Sequence, residues 1–191
     1  MGSYTTVLID NSQISDIIKV LRSGYTHAGV KHRSNYQVAT IMLLQANLGC
    51  RIGDIVHLEV ENIIFDGEAW RLDMIEQKTG KLRRYVIPSP IKAVIDDWCR
   101  MKCITTGRLF SIEEPAVWKQ LRAVTAYLNM QNVSAHSFRK AAAMRIYNDS
   151  GKDIALACQY LNHSSPATTM RYLKRSSKQM DEICSQSAVL V

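Results

Sequence analysis

The hydrophobic residues of this chain recur every three to four positions over most of its length, which predicts a largely helical protein. A first amphipathic helix is predicted to begin at the pair Asn11 and Ser12, which offers an N-cap, and to end at Gly24. Residues 24–33 lack this periodicity, so they are predicted to form an exposed loop.

The next helix is expected to lie at the centre of the core. Ser34 is predicted to cap it and Gly49 to end it, and its apolar residues form one stripe. A short helix follows directly and starts with Arg51. An arginine at a corner between two helices points into the space beside the corner. Asp54, three positions later, is predicted to hold it by a charge-assisted hydrogen bond.

Between residues 63 and 87 the hydrophobic period changes to two, which predicts a three-stranded antiparallel sheet. Its first turn is the Asp-Gly pair at 66–67, and its second is the Lys-Thr-Gly-Lys stretch at 78–81. The tip of a hairpin is a suitable place for a flexible proton donor. Lys78 and Lys81 are therefore competing candidates for that role.

Two further amphipathic helices are predicted to be structural. Ser89 is predicted to cap the first, with Pro90 at its first helical position. Glu113 and Glu114 favour the start of the second, because acidic residues stabilise a helix N-terminus. Between the two helices, residues 109–110 are predicted to form a short extended piece.

The last predicted helices carry the residue types with the most chemistry. Ser134 is predicted to cap a helix on which His136 and Arg139 share one face, while the opposite face packs on the core. Asp153 is predicted to start a further helix, and His163 follows directly at its C-terminal end. One face of the helix that Ser134 caps is thus expected to pack on the core, and the face with His136 and Arg139 is expected to take part in the chemistry.

The distribution of charge singles out this same region. The chain has 24 Lys and Arg against 17 Asp and Glu, a formal net charge of +7, but segment 119–178 alone holds ten basic and two acidic residues. Within it, a short helix after Pro166 is predicted to carry Tyr172. Such a basic region suits a polyanion, most often a phosphate backbone. The alternative is the solvated face of a basic protein.

Composition also excludes several classes of protein. The five cysteines are odd in number and form no Cys-x-x-Cys pair, which argues against a disulfide framework and a zinc site. No apolar run approaches the roughly 18 residues of a membrane span. A length of 191 residues with 47% hydrophobic content suits one compact domain. We expect a cytoplasmic protein.

The candidate residues together suit phosphoryl transfer without a metal or other cofactor. Two arginines can bind the non-bridging oxygens of one phosphate and neutralise the charge that develops on it. A tyrosine with an ordinary pKa near 10 needs an adjacent base or a positive field to act as a nucleophile. A lysine can supply the proton that a leaving 5′ oxygen requires.

The order and spacing of these residues resemble the active-site blocks of the tyrosine recombinases, the phage integrase family. The matching blocks are NLGCRIGDIVHL, QKTGKLRRYVIP, HSFR and LNHSSPATTMRY, and the likeness covers about residues 11–174. It implies an α+β, mainly α-helical fold, the catalytic fold of that family, with a small three-stranded antiparallel sheet packed on a helical core.

The resemblance implies a role for each candidate residue. Tyr172 would attack DNA and become linked to its 3′ phosphate, and Lys78, which matches the family's lysine by position, would be the general acid. The catalytic set is expected to be Arg51, Lys78, His136, Arg139, His163 and Tyr172. The expected DNA contacts are Arg51, Arg139, Lys140, Arg171, Lys174 and Arg175.

The partner implied is double-stranded DNA, on which the protein is expected to act as a homotetramer. When free of DNA, the protein is expected to be a monomer. Residues 1–175 are expected to form the catalytic domain. The tail at 176–191 either packs on its own core or is exchanged between neighbouring protomers. The chain has no room for the N-terminal helical domain of many integrases. It is expected to be an isolated catalytic domain or a short single-domain member.

Two positions depart from the family pattern. Asn162 stands where many members have glycine, which affects the turn before His163, and Lys140 follows Arg139 where histidine or another polar residue is frequent. Neither change removes a catalytic group.

Three functions remain open from the sequence. The first is site-specific recombination (integration, excision or inversion) through a 3′-phosphotyrosyl intermediate. The second is DNA relaxation of the type IB topoisomerase kind, and the third is a non-catalytic DNA-binding regulator. The complete residue set favours an enzyme over a regulator, because a binding protein has no need of Tyr172 or Lys78.

Overall fold

The computed structural model describes residues 6–173, and over this range the protein is mainly helical with two small antiparallel sheets. The helices are α1 (Asn11–Ser23), α2 (Tyr36–Leu48), α3 (Ile52–Val56), α4 (Ser89–Lys102), α5 (Glu114–Tyr127), α6 (Ala135–Asp149), α7 (Ile154–Tyr160) and α8 (Pro166–Leu173). The strands are β1 (Tyr25–His27), β2 (Val30–His32), β3 (Ile63–Phe65), β4 (Trp70–Ile75) and β5 (Leu82–Val86). A single 3₁₀ turn, Val60–Asn62, precedes β3.

Helix α2 forms the centre of the core, as predicted. It is buried on nearly every side and packs against α1 and α6. Gly49 ends it with a φ of 61°, and a Cβ there would lie 2.6 Å from Cε1 of the Tyr160 ring, so only glycine fits. The cap is Asn35, whose side chain accepts from Val38 N, and the prediction of Ser34 was wrong by one residue.

The predicted loop at 24–33 is instead a hairpin of β1 and β2, paired antiparallel with Tyr25 opposite His32. The two rings stack at 4.5 Å, and Tyr25 also packs against Tyr127 at the end of α5. This prediction was wrong because three-residue strands are too short to show a period of two. Cross-strand ring stacking stabilises them instead.

The three-stranded sheet is confirmed, with strand order β3-β4-β5 and antiparallel pairing throughout. Leu72 and Met74 on β4 face the core, and the turn between β4 and β5 includes Lys78. The sheet thus places the lysine-bearing turn at one edge of the helical core.

Several boundaries differ from the sequence predictions. Asp10 caps α1 through a capping box with Gln13, in place of Asn11 or Ser12, and Pro88 rather than Ser89 occupies the cap of α4. Residues 109–110 do not form a strand. They are buried, and an isolated bridge between Glu59 and Arg108, together with a hydrogen bond from the N–H of Leu109 to the carbonyl of Leu58 at 2.8 Å, links this segment to the chain before β3.

The C-terminal helices pack on one another and on the core. Ser134 caps α6 as predicted, in a capping box with Ser137, and α6 contacts α2, α7 and α8. Asp153 caps α7, also as predicted, by accepting from two backbone N–H groups. Lys174, Arg175 and the tail at 176–191 lie outside the described residues.

Four cysteines, Cys50, Cys99, Cys103 and Cys158, are free thiols, and Cys184 lies outside the described part of the chain. No helix among residues 6–173 is long and apolar enough to cross a membrane. The same residues contain no cluster of three or more His, Cys, Asp or Glu side chains that could hold a metal ion.

Candidate active site

Arg51 lies at the corner where α2 gives way to α3 and serves as the N-cap residue of α3. Its Nη1 donates to Oε2 of Glu76 at 2.6 Å. The predicted pairing with Asp54 was wrong, because Asp54 is buried and its Oδ1 accepts from the backbone N of Gln77 at 3.0 Å. Glu76 thus binds the Arg51 side chain, whereas Asp54 binds the backbone next to Glu76.

Glu76 is a site residue that sequence reasoning missed. It is fully buried, and its carboxylate accepts from the side chains of Arg51, Thr79 and Arg83. Burial by itself raises the pKa of Glu76, but hydrogen bonds from Thr79 and Arg51 and the charges of both arginines outweigh it and lower the pKa below its ordinary value. Glu76 is therefore held as a carboxylate.

A signal for Glu76 was available in the sequence. Leu72 and Met74 point inward on β4, and Glu76 continues the same alternation just past the strand end. An acidic residue at an inward position requires a positive partner. The pattern thus indicated a buried ion pair, although not which arginines would form it.

Arg139 is completely buried, so the helix face that carries it packs rather than facing open solvent. Its Nη1 donates to the carbonyl of Gly49 and its Nη2 to that of Leu161 at 2.7 Å. Its Nε–H has no partner among the described residues. By binding the carbonyl ends of two helices, Arg139 fixes the segments that lead to Arg51 and His163.

His136 and Tyr172 are in direct contact, although 36 residues separate them in sequence. The Tyr172 hydroxyl lies 2.7 Å from Nε2 of His136, and the ring centroids are 5.5 Å apart. Loss of hydration first, and then the charges of Arg139 and Lys140, lower the pKa of His136 below its usual range. The ring is therefore neutral at pH 7, and its Nε2 can accept the tyrosine proton.

His163 contacts the other side of the same tyrosine. Its ring meets that of Tyr172 edge to face at 4.9 Å, and its Nδ1 lies 3.0 Å from the hydroxyl of Thr169. Burial and then the positive charges of Arg139 and Arg51 lower its pKa to about 4. His163 is thus uncharged at neutral pH.

The turn before His163 explains one departure from the family pattern. Asn162 has a φ of 54°, in the left-handed region that glycine adopts most readily and asparagine tolerates better than most residues. Its side chain also donates to the carbonyl of Leu82 at 3.2 Å. Asparagine therefore makes the turn and ties it to β5.

The two lysines of the hairpin turn have different surroundings. Lys78 is exposed and lines a cleft of about 640 Å³ together with Arg51 and His136. Lys81 instead donates to the hydroxyl of Ser164 at 2.9 Å. Lys78 thus lies at the candidate site, whereas Lys81 is hydrogen-bonded to the segment before α8.

The other expected DNA contacts are placed only in part. Lys140 is half-buried, and its Nζ donates to the backbone carbonyl of Thr6. Arg171 belongs to α8, whereas Lys174 and Arg175 fall outside the described residues. The cleft wall also includes Trp118 and Arg122, two residues of α5 that have no predicted function.

This chain resembles known proteins in sequence and in fold. The sequence profile of the phage integrase family matches residues 8–179. The chain is 28% identical over 141 residues to the probable integrase/recombinase YoeC of Bacillus subtilis (strain 168), covering 70% of this chain and 75% of that protein.

Two further matches concern XerA recombinases. The tyrosine recombinase XerA of Pyrococcus furiosus is 26% identical over 159 residues, covering 78% of this chain and 54% of that protein, so this chain spans about half of that relative. A crystal structure of XerA recombinase has the same fold, with a TM-score of 0.71 at 16% identity, over 100% of this chain and 67% of that one. This protein belongs to the phage integrase family of tyrosine recombinases.

Proposed function

We propose that this protein carries out site-specific DNA recombination with Tyr172 as its nucleophile. The observation that carries the proposal is the contact between the Tyr172 hydroxyl and Nε2 of a neutral His136 at 2.7 Å. The tyrosine oxygen attacks the scissile phosphorus, its proton passes to His136, and the bond from phosphorus to the 5′ oxygen breaks. The product is a 3′-phosphotyrosyl link and a free 5′ hydroxyl.

The remaining site residues stabilise this step or complete it. Arg51 and Arg139 place positive charge beside the reacting phosphate. Lys78 gives a proton to the leaving 5′ oxygen. His163, which packs against the nucleophile, donates a hydrogen bond to a phosphate oxygen. Attack by a 5′ hydroxyl of another strand reverses the chemistry and completes the exchange.

The substrate proposed is double-stranded DNA, in keeping with the excess of basic residues in 119–178. Exchange of two duplexes requires four cleavages, so a homotetramer on DNA is proposed as the acting form. Arg171, Lys174 and Arg175 are proposed to extend the contact along the DNA backbone, and the tail at 176–191 is proposed to link protomers.

Covalent trapping tests the proposed function. On a nicked duplex whose short 3′ fragment diffuses away after cleavage, the protein is expected to accumulate as a covalent adduct without added metal or nucleotide. Peptide mapping should locate the phosphate on Tyr172. Binding without any adduct would instead favour the regulator, and relaxation of any supercoiled plasmid regardless of sequence would favour the topoisomerase.

The general acid can be assigned by changing the leaving group. Lys78→Ala is expected to slow cleavage of ordinary DNA by about 10²-fold or more, because the 5′ oxygen then leaves without a positioned acid. DNA with sulfur in place of the bridging 5′ oxygen should be cleaved by this variant nearly as fast as by the parent protein. A thiol has a pKa of about 8.5, so its thiolate leaves without a proton.

Lys81→Ala is the matched control, since Lys81 lies in the same turn but binds Ser164. We expect it to cleave both substrates at nearly the parent rate, measured in single-turnover reactions. If Lys81→Ala showed the leaving-group dependence and Lys78→Ala did not, the general acid would be Lys81.

A further inference from the structure

Three side chains donate to the buried carboxylate of Glu76, one from the corner between α2 and α3 and two from the β4–β5 hairpin. Its Oε2 accepts from Nη1 of Arg51 at 2.6 Å and from the Thr79 hydroxyl at 2.7 Å. Its Oε1 accepts from Nη1 of Arg83 at 3.0 Å. Arg51 and Thr79 therefore share one oxygen atom, and both depend on where that atom lies.

Glu76 is itself held firmly in place. Arg83, also completely buried, donates from Nη2 to the carbonyls of Leu48 at 2.7 Å and Tyr160 at 2.8 Å. These carbonyls belong to the C-terminal ends of α2 and α7, which precede Arg51 and His163. The rings of Tyr85 and Tyr160 flank the same guanidinium at 5.0 and 5.6 Å. The carboxylate is thus fixed relative to the helix ends on which the site is built.

Glu76 also organises the turn that carries Lys78. Its backbone N–H donates to the carbonyl of Lys81, and its carbonyl accepts from the N–H groups of Thr79 and Gly80. Next to it, the N–H of Gln77 donates to the buried Asp54. Residues 76, 77 and 79 are therefore anchored on either side of Lys78, whose own side chain is exposed in the cleft.

We propose that Glu76 is a positioning residue that couples the phosphate-binding Arg51 to the turn carrying Lys78, with the Thr79 hydroxyl as the link to the turn. This inference rests on the proposed function. Glu76 touches neither DNA nor the reacting atoms. It sets the position of the group that binds the phosphate and of the group that protonates the leaving oxygen relative to one another.

Physical reasoning favours coupling over a simple buried ion pair. Arg83 alone would neutralise the carboxylate, and the pair would need neither Arg51 nor Thr79. Instead, Oε2 accepts one hydrogen bond from Arg51, which binds the phosphate, and one from Thr79, which belongs to the turn that carries Lys78. A shift of either donor weakens the hydrogen bond of the other, and misplacement of a reactive group by about 1 Å can cost about 10²-fold in rate.

Thr79→Val tests the link to the turn with little risk to folding, since Thr79 is exposed and valine has nearly its shape. We expect the variant to cleave ordinary DNA about tenfold more slowly, because the turn is less well positioned. On DNA with a 5′-bridging sulfur the defect should disappear, since that substrate needs no proton from Lys78. Thr106→Val, at an exposed threonine in the turn after α4, is the control and should cleave both substrates normally.

Glu76→Gln tests the other half of the coupling. Arg51 and Arg83 bind different oxygens of Glu76, and glutamine replaces one of these oxygens with an NH₂ donor. The fully buried Arg83 has the greater need of the remaining oxygen, so Arg51 then faces the NH₂ group and loses its fixed position. We expect a loss of about 10²-fold on ordinary DNA that the sulfur substrate restores only in part, because Arg51 acts on the phosphate with either leaving group. DNA affinity and the midpoint of thermal unfolding, measured alongside, report whether the variant is folded.

The outcomes separate this inference from the proposed function. If the parent protein formed no adduct on either substrate, the proposed function would fail and the inference with it. Suppose instead that the parent reacted but Thr79→Val cleaved ordinary DNA at the parent rate, or was slowed equally on both substrates. The proposed link between Glu76 and the turn would then be wrong, while the proposed function would stand. Should Glu76→Gln fail to fold, the comparison of Thr79→Val with Thr106→Val still decides the question.

Discussion

Tyr172→Phe is expected to abolish the covalent adduct with DNA while leaving DNA binding unchanged. The substitution removes only the hydroxyl, so the edge-to-face contact with His163 and the packing of α8 remain. The lost hydrogen bond to His136 should change the free energy of unfolding by only about 1 kcal/mol. The rate of cleavage should fall by about 10⁴-fold or more, because no other group takes the place of the nucleophile.

The measurement is a single-turnover reaction on the nicked duplex, with binding followed by a gel-shift titration at fixed salt. Tyr36→Phe serves as the control, since Tyr36 is an exposed tyrosine at the start of α2. It should lose neither binding nor adduct. An adduct formed by Tyr172→Phe at the parent rate would mean that another residue is the nucleophile, and the assignment of the site would have to be abandoned.

Local signals in the sequence predicted most of the fold. The 3.6-residue period located the helices, the period of two located the three-stranded sheet, and Gly24, Gly49 and Ser134 marked helix ends where the structure has them. These signals succeed because each depends on residues only a few positions apart. The hairpin of β1 and β2 was missed because its strands are only three residues long, and because one of its ring contacts joins Tyr25 to the sequence-distant Tyr127.

The sequence named candidate site residues but did not predict the contacts of their side chains. The resemblance placed His136 and Tyr172 in one catalytic set without pairing them, and the structure has them in contact. The partner of Arg51 was assigned to Asp54, its neighbour in sequence, whereas the structure provides Glu76 from the end of a strand. A side-chain partner 25 residues away depends on how the sheet packs on the helices, and no short-range pattern encodes that.

The two arginines were predicted to act alike, but their surroundings differ. Arg51 retains 22% side-chain exposure and borders the cleft, whereas Arg139 is fully buried against two backbone carbonyls. A cation in that position costs desolvation energy, and burial followed by the charges of Arg51 and Arg83 lowers the pKa of Arg139. Arg139 therefore combines a structural role with its proposed role in phosphate binding.

Arg139→Met is accordingly expected to lose both cleavage and stability, whereas Arg51→Met should lose mainly cleavage. Methionine at 139 leaves the carbonyls of Gly49 and Leu161 buried without donors, which costs about 1–3 kcal/mol for each group, less the relief of removing a buried cation. A net loss of about 2 kcal/mol or more in the free energy of unfolding should follow. With Arg51→Met, Glu76 keeps Arg83 and Thr79, so the loss should be smaller.

Both variants should cleave DNA about 10³-fold more slowly or worse, because each removes a positive charge from the developing phosphate charge. Denaturant unfolding gives the stabilities, and single-turnover cleavage well below the unfolding midpoint gives the rates. Equal losses of stability in the two variants would contradict the structural role of Arg139. A stable Arg139→Met that cleaved at the parent rate would remove Arg139 from the site, since neither the helix ends nor the phosphate would then depend on its guanidinium.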